Sequence, residues 1–132
     1  MPELPEVETT LRAIKKFQGQ NLINIKVHNR HLRWTVSKDL EKNSKNQKLI
    51  DLYRRAKYII FELENTYLLL HLGMSGSLRI LKSEDNYFLK HDHIEFIFDN
   101  EKIIYNDPRR FGSLHIAKDI NNHKLISGLG PE

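Results

Sequence analysis

The sequence contains no cysteine among its 132 residues. This excludes disulfide bonds and thiolate metal sites, and it is typical of proteins from a reducing compartment. The sequence also lacks any run of eighteen apolar residues, and no basic segment followed by an apolar stretch opens it. It therefore predicts neither a transmembrane helix nor a secretory signal, and we expect a cytoplasmic protein with no membrane partner.

Negative charge is scarce in the first part of the chain. Residues 1–60 hold 13 Lys and Arg against 6 Asp and Glu, whereas residues 61–132 hold 8 against 11. A basic half suggests a polyanionic partner such as nucleic acid. The alternative is a solvated basic surface, and charge alone does not decide between the two. The length and the 39% apolar content are typical of one globular domain.

The spacing of apolar residues predicts one helix followed by many short strands. Leu4, Val7, Leu11 and Ile14 recur every three or four residues, which predicts a helix over 5–17. Alternation then predicts strands at 22–27, 32–36, 48–53, 57–63, 67–72, 77–81, 93–98, 102–106 and 113–117, with a polar loop or short helix between the second and third. This order predicts a mostly β (α+β) fold, an antiparallel sandwich or barrel.

The N-terminal stretch MPELPEVE holds a candidate nucleophile. If Met1 is removed, Pro2 presents a secondary amine, and an α-amino group has a pKa of about 7.7–8.0 against about 10.4 for lysine. Such an amine can attack a sugar C1′ to give an iminium ion, and the Glu3 carboxyl beside it could move a proton at the sugar oxygen. The alternative is an acid-rich first helical turn, which the short motif alone favours.

Two basic stretches hold candidate phosphate contacts. Lys57, in RRAK, precedes an apolar strand and could hold a phosphate or act as a second acid or base, although a solvated strand edge is as good an interpretation. His91, in KHDH, could contact a phosphate backbone. No third strong metal ligand lies near the two histidines of KHDH, His91 and His93, in the sequence, so we predict no metal site.

Two turn-forming stretches hold candidate wedges, meaning side chains that fill the gap left when a base is extruded from a duplex. In HLGMSGSLR, Gly73 and Gly76 permit a tight turn that would present Met74. In NDPRRFG, a turn would present Arg109 and Phe111 to bases or phosphates. The alternative in each case is that the apolar side chain folds back into the core.

Taken in order, PELPEVE, RRAKY, HLGMSGSLR, KHDH and DPRRFG resemble the N-terminal domain of the formamidopyrimidine-DNA glycosylase family, over essentially all 132 residues. The resemblance implies a β-sandwich flanked by an N-terminal helix and a short C-terminal helix. It implies base-excision repair of oxidised purines, 8-oxoguanine and formamidopyrimidines, by a DNA glycosylase and AP lyase acting on damaged double-stranded DNA. The implied roles are a Schiff-base nucleophile for Pro2, general acid/base for Glu3, catalytic partner near the phosphate for Lys57, backbone contact for His91, and void filling for Met74, Arg109 and Phe111.

The helix–two-turns–helix region and the cysteine-ligated zinc finger of that family are missing from this sequence. We therefore expect residues 1–132 to be the N-terminal catalytic domain, without a cofactor of its own, monomeric, nucleoid-associated and followed by more protein after LISGLGPE. Two alternatives stay open. One is a truncated, catalytically weak DNA-binding module. The other is a tautomerase-like enzyme using Pro2 as a base, which is disfavoured because such enzymes begin with a strand.

Overall fold

Two antiparallel sheets face each other in this computed structural model, which describes residues 4–120. One sheet has five strands in the order β1-β3-β4-β5-β9, and the other has four in the order β2-β7-β8-β6. The elements are α1 (Leu4–Ile14), a 3₁₀ turn (Lys15–Phe17), β1 (Asn21–Leu22), β2 (Asn24–Val27), α2 (Leu40–Ser44), β3 (Gln47–Arg55), β4 (Tyr58–Leu63), β5 (Tyr67–His71), β6 (Ser77–Lys82), β7 (Asp92–Ile97), β8 (Glu101–Asn106) and β9 (Ser113–Ala117).

The core lies between the sheets and continues under α1. The ring of Phe61 on β4 stacks on that of Phe96 on β7, with centroids 5.1 Å apart. Val7, Leu11 and Ile14 are buried, so the helical spacing in the sequence does mark the inner face of α1. The mostly β class and the antiparallel sandwich are confirmed. The expected short C-terminal helix falls outside the described residues.

The predicted strand at 32–36 is wrong. Leu32 and Val36 are buried, but Trp34, which a strand would place on the same face, is exposed together with its two neighbours. A single bridge joins His31 to Thr35, and the Val36 N–H donates to the Arg30 carbonyl at 3.0 Å. The segment is therefore a closed turn whose tip points into solvent.

The predicted strand at 22–27 is split between the sheets. Leu22 ends β1 in the five-stranded sheet, and Asn24 begins β2 in the four-stranded sheet. Between them, the Ile23 N–H donates to the Ile97 carbonyl at 2.8 Å. The polar segment that follows contains the short helix α2.

Candidate nucleic-acid interface

Strand register places most of the candidate residues at one end of the sandwich. In the five-stranded sheet Tyr58 pairs with His71, and His71 pairs with Ser113. In the four-stranded sheet Asn106 pairs with both Ser77 and Asp92. The chain crosses from one sheet to the other between His71 and Ser77, and crosses back between Asn106 and Ser113. These two crossing loops, residues 72–76 and 107–112, therefore emerge side by side.

The first crossing loop presents Met74. Gly73 has φ +67°, a left-handed conformation that glycine adopts without strain. The Gly76 N–H donates to the Leu72 carbonyl at 2.9 Å and closes the turn. The Met74 side chain is 51% exposed, so its expected exposure is confirmed and the core alternative is not.

The second crossing loop presents Arg109 and Phe111. The Arg110 N–H donates to the Asp107 carbonyl at 3.2 Å, and Arg110 itself has φ +56°. The Phe111 side chain is 42% exposed, as expected. The Arg109 guanidinium lies over its ring, 4.8 Å from the centroid, and forms a cation–π pair.

A buried carboxylate joins the two crossing loops. Asp107 accepts hydrogen bonds from the Ser75 hydroxyl at 2.6 Å, the Tyr105 hydroxyl at 2.5 Å and the Gly112 N–H at 2.9 Å. The Arg109 N–H donates to Ser75 Oγ at 3.1 Å. Burial raises the pKa of Tyr105, and its bond to Asp107 raises it further, so the phenol stays a donor. The loops are thus held as one unit.

Backbone packing makes the same connection. A Cβ on Gly73 would overlap the backbone of residues 111 and 112, and a Cβ on Gly112 would overlap the Tyr105 hydroxyl. The glycines of both motifs therefore permit close contact between the loops. The glycine before Met74 and the glycine after Phe111 are thus explained by the contact between the loops.

Lys57 and His71 lie next to these loops. Lys57 occupies the two-residue turn between β3 and β4, after Ala56 at φ +53°. His71 Nδ1 accepts the Gly73 N–H at 3.0 Å, so the neutral ring carries its proton on Nε2. Burial lowers the pKa of His71, and the positive charges of Lys57 and Arg33 lower it further. His71 is therefore a neutral donor beside two cations.

Sequence reasoning missed three residues of this surface: His71, Arg33 and Trp34. His71 stands directly before the GMSG turn, which is the signal that could have found it. Arg33 and Trp34 fall within the strand that the sequence predicts at 32–36. The structure instead docks their turn on the second crossing loop, where the Arg33 N–H donates to the Gly112 carbonyl at 3.1 Å.

Two clefts open on this end of the sandwich. One, of about 410 Å³, lies between Trp34, His71, Met74 and Phe111. The other, of about 530 Å³, is lined by residues 31–34 and 109–111. No acidic residue lines either cleft within the described part of the chain. The surface is therefore cationic and aromatic, as nucleic-acid sites are.

The remaining candidates are placed differently. His91, at φ +72°, accepts the Asp107 N–H on its carbonyl at 3.1 Å, so it borders the second crossing loop without lining either cleft. Pro2 and Glu3 lie outside the described residues. Helix α1 begins at Leu4, two positions after Pro2.

Residues 4–120 contain no group of three or more histidine or acidic side chains placed to hold a metal ion. Together with the lack of cysteine, this means that the residues present do not fit a cysteine-ligated zinc. Over the same range, no helix is long and apolar enough to cross a bilayer.

Comparison with known proteins agrees with the geometry. A model of the formamidopyrimidine-DNA glycosylase N-terminal domain matches residues 1–114. The chain belongs to this family. The formamidopyrimidine-DNA glycosylases of Yersinia pseudotuberculosis serotype O:1b and of Yersinia pestis are each 46% identical to it over 134 residues, covering 100% of this chain and 49% of the relative. The chain thus spans about half the length of the curated formamidopyrimidine-DNA glycosylases that it matches.

Solved structures of the family have the same fold. Lactococcus lactis Fpg in complex with DNA containing an abasic site is 33% identical, with a TM-score of 0.82 over 91% of this chain and 45% of that one. The complex of Lactococcus lactis Fpg with DNA containing Fapy-dG gives 33% identity and a TM-score of 0.81, over 90% of this chain and 45% of that one.

Proposed function

We propose that this chain is the N-terminal catalytic domain of a bifunctional DNA glycosylase and AP lyase that removes 8-oxoguanine and formamidopyrimidines from damaged double-stranded DNA. The observation that carries the proposal is the rigid pair of crossing loops, which exposes Met74, Arg109 and Phe111 together beside acid-free clefts. Family membership and the damaged DNA in the Lactococcus lactis complexes support the same substrate class.

The crossing loops would occupy the gap left by an extruded nucleotide. Extrusion costs a few kcal/mol of stacking and pairing, so another group must fill the stack. Met74 and Phe111 are apolar, exposed and held on loops that a buried network fixes, which suits insertion between bases. Arg109 lies over Phe111 and would face the orphaned base of the opposite strand.

Lys57 and His71 would hold the phosphate beside the extruded sugar. Lys57 supplies a positive charge, and the neutral His71 offers its Nε2–H as a donor. His91 would contact backbone further along the same surface. This places the phosphate grip next to the Met74 loop, since His71 ends β5 directly before it.

Pro2 and Glu3 would perform the chemistry. The Pro2 nitrogen attacks C1′ while the bond to the base breaks, and the base leaves with the electron pair of that bond and takes up the proton that the Pro2 nitrogen loses. Glu3 protonates the sugar ring oxygen as the ring opens to the iminium ion. The iminium then acidifies C2′, and loss of a C2′ proton to solvent breaks the C3′–O bond, so that the 3′-phosphate leaves with the electron pair and the strand is cut. Because α1 follows Pro2 almost directly, the tautomerase-like alternative, which needs a strand there, is disfavoured.

A second candidate function is a catalytically weak DNA-binding module. The observation that favours it is length, because the chain spans about half of its curated relatives. Contacts that bend the duplex and hold the lesion would then be incomplete.

A structural zinc in longer relatives would belong to sequence outside this chain, which has no cysteine. We also propose that the protein is cytoplasmic and associated with the nucleoid, and that it is a monomer.

Borohydride trapping on an abasic-site duplex tests the proposal. We expect a covalent complex with the 132-residue chain, after intact mass has shown that Met1 is removed. A version with an N-terminal extension is the matched control, because its Pro2 nitrogen is an amide and is not nucleophilic. A complex of equal yield with the extended protein would contradict the assignment of Pro2.

Single-turnover cleavage of an 8-oxoguanine duplex separates the two candidate functions. We expect trapping at the abasic site but negligible excision by this chain, because excision also requires extrusion and lesion binding. Excision at a rate close to that of a full-length relative would show that this domain is sufficient by itself.

A further inference from the structure

The larger of the two clefts at this end of the sandwich has an aromatic and cationic wall, of which the proposed function uses only Arg109 and Phe111. It measures about 530 Å³ and lies between the turn at 31–34 and the second crossing loop at 109–111. This size is within the range of roughly 300–1,000 Å³ that is typical of small-ligand sites. Its lining includes Arg33, Arg109 and Arg110, and no carboxylate is among the described residues that line it.

Two guanidinium–aromatic pairs border this cleft. The Arg33 guanidinium lies 5.6 Å from the Trp34 ring centroid, and the Arg109 guanidinium lies 4.8 Å from that of Phe111. Trp34 is 52% exposed, whereas tryptophan is highly buried on average in folded proteins. A large exposed ring beside an arginine is the arrangement that stacks an unpaired base and holds its phosphate.

The exposure of Trp34 is built into the fold. Leu32 and Val36 are buried on either side of it, and the His31–Thr35 bridge closes the turn between them. The Arg33 N–H donates to the Gly112 carbonyl, so the turn is also fixed to the second crossing loop. The ring is therefore presented by an anchored turn that is fixed to the loop carrying Phe111.

We infer that this cleft binds one unpaired nucleotide of a DNA strand next to the lesion, with its base stacked on Trp34 and its phosphate held by Arg33 and Arg110. The inference deepens the proposed function and rests on it. It gives Trp34 a positioning role in DNA binding, separate from the gap-filling role of Met74, Arg109 and Phe111. The cation-rich, acid-free lining favours a nucleotide of a polyanionic strand over a neutral ligand.

The test uses the fact that Trp34 is the only tryptophan in the chain. The 132-residue protein is titrated with a duplex that contains a tetrahydrofuran abasic analogue and one mispaired nucleotide next to it, and both Trp34 emission and affinity are measured. We expect the emission to be quenched on binding. Trp34→Ala should weaken binding about tenfold, as for loss of one base–aromatic stack. Trp34→Tyr should restore most of the affinity, because a stacking face returns.

Ile50→Ala is the matched control, since Ile50 is also an exposed apolar residue but lies on β3 away from both clefts. It should leave affinity unchanged. Arg33→Gln should lower the slope of log affinity against log salt by about one, as for loss of one phosphate contact. Circular dichroism on each variant shows that it is folded.

The outcomes distinguish this inference from the proposed function. If trapping and DNA binding persist but Trp34 emission is not quenched, the nucleotide-binding role of the cleft is wrong and the proposed function stands. The same conclusion follows if Trp34→Ala leaves the affinity unchanged. Absence of both binding and trapping overturns both. Quenching of Trp34 by poly-glutamate at the same affinity and salt would overturn the nucleotide assignment in favour of an acidic peptide.

Discussion

Two buried aspartates at the same end of the sandwich are stabilised by different kinds of hydrogen-bond donor. Asp92 receives two hydrogen bonds from Arg79, both at 2.6 Å, one from Asn106 at 2.9 Å and one from the Leu89 N–H at 2.7 Å. Asp107 receives its three side-chain bonds from two hydroxyls and one backbone N–H. Within residues 4–120, a cation therefore contacts the carboxylate of Asp92, and none contacts that of Asp107.

The difference determines which arginines remain available to a polyanion. Arg79 is committed to a buried carboxylate, where it stabilises the fold. Arg109 and Arg110 are exposed on a loop whose carboxylate is satisfied by neutral donors, and over the described residues neither forms an ion pair with an acidic side chain. Because hydroxyl groups hold the crossing loops together, the positive charges of Arg109 and Arg110 remain available to bind phosphate.

The largest expected effect is that of Asp107→Ala. The substitution leaves the buried Tyr105 hydroxyl and the Gly112 N–H without an acceptor, at roughly 1–3 kcal/mol each. We expect the free energy of unfolding to fall by about 4 kcal/mol. Urea denaturation followed by circular dichroism measures it. Asp107→Asn keeps one acceptor oxygen and should lose less than half as much; equal losses would show that the carboxylate is not the shared acceptor.

Arg79→Met should come next. It leaves the Asp92 carboxylate, whose side chain is 1% exposed, without its cation, and breaking a buried pair in this way costs about 3 kcal/mol. Because Arg79 is not part of the interface, affinity for an abasic-analogue duplex should stay unchanged at temperatures where the variant is folded. A loss of affinity in the folded variant would contradict the division of arginines proposed above.

The pH dependence of stability isolates the Asp92 contribution. Burial would raise the pKa of Asp92, but the hydrogen bonds from Arg79 and Asn106 outweigh it and lower the pKa from 3.8 to about 2. A lowered native pKa adds stability above about pH 4, which is lost as the pH falls through about 2. We expect a contribution of about 2 kcal/mol. The stability difference between the native chain and Asp92→Asn should shrink between about pH 5 and 2; a constant difference would exclude this linkage.

The sequence predicted the features that depend on local pattern. The period of α1 identified Val7, Leu11 and Ile14 as buried, and the glycines around Met74 predicted its exposure. It failed where a distant contact decides. Leu32, Trp34 and Val36 alternate with polar residues as in a strand. The turn that contains them is nevertheless held by Gly112, far along the chain.

Asp107 shows the same limit. The sequence marks it as the start of a turn, but its bond to Ser75 spans 32 positions, which no periodicity reports. The roles of Pro2, Glu3, Lys57 and His91 rest on the chemistry of these side chains and on resemblance to the family, and they stay predictions. They depend on groups that act together only when DNA is bound, which spacing in the sequence does not reveal.

Ser75→Ala should have the smallest effect on stability and the most selective effect on the interface. It removes the hydroxyl that donates to Asp107 Oδ1 and accepts from the Arg109 N–H, while Tyr105 and Gly112 still donate to the other carboxylate oxygen, Oδ2. Unfolding should therefore become easier by only about 1 kcal/mol. The crossing loops, however, lose the side chain that joins them, so the Arg109 amide should exchange its hydrogen faster while core amides do not change.

Affinity for the abasic-analogue duplex should fall in the same variant, since loops that are no longer preorganised must be ordered on binding. Ser75→Thr keeps the hydroxyl and should recover most of the affinity. Ser77→Ala, at an exposed serine on the first residue of β6, is the matched control and should change neither exchange nor binding. If Ser75→Ala and Ser77→Ala behave alike, the two loops are held together by their backbone packing, and the hydroxyl bridge contributes nothing to the interface.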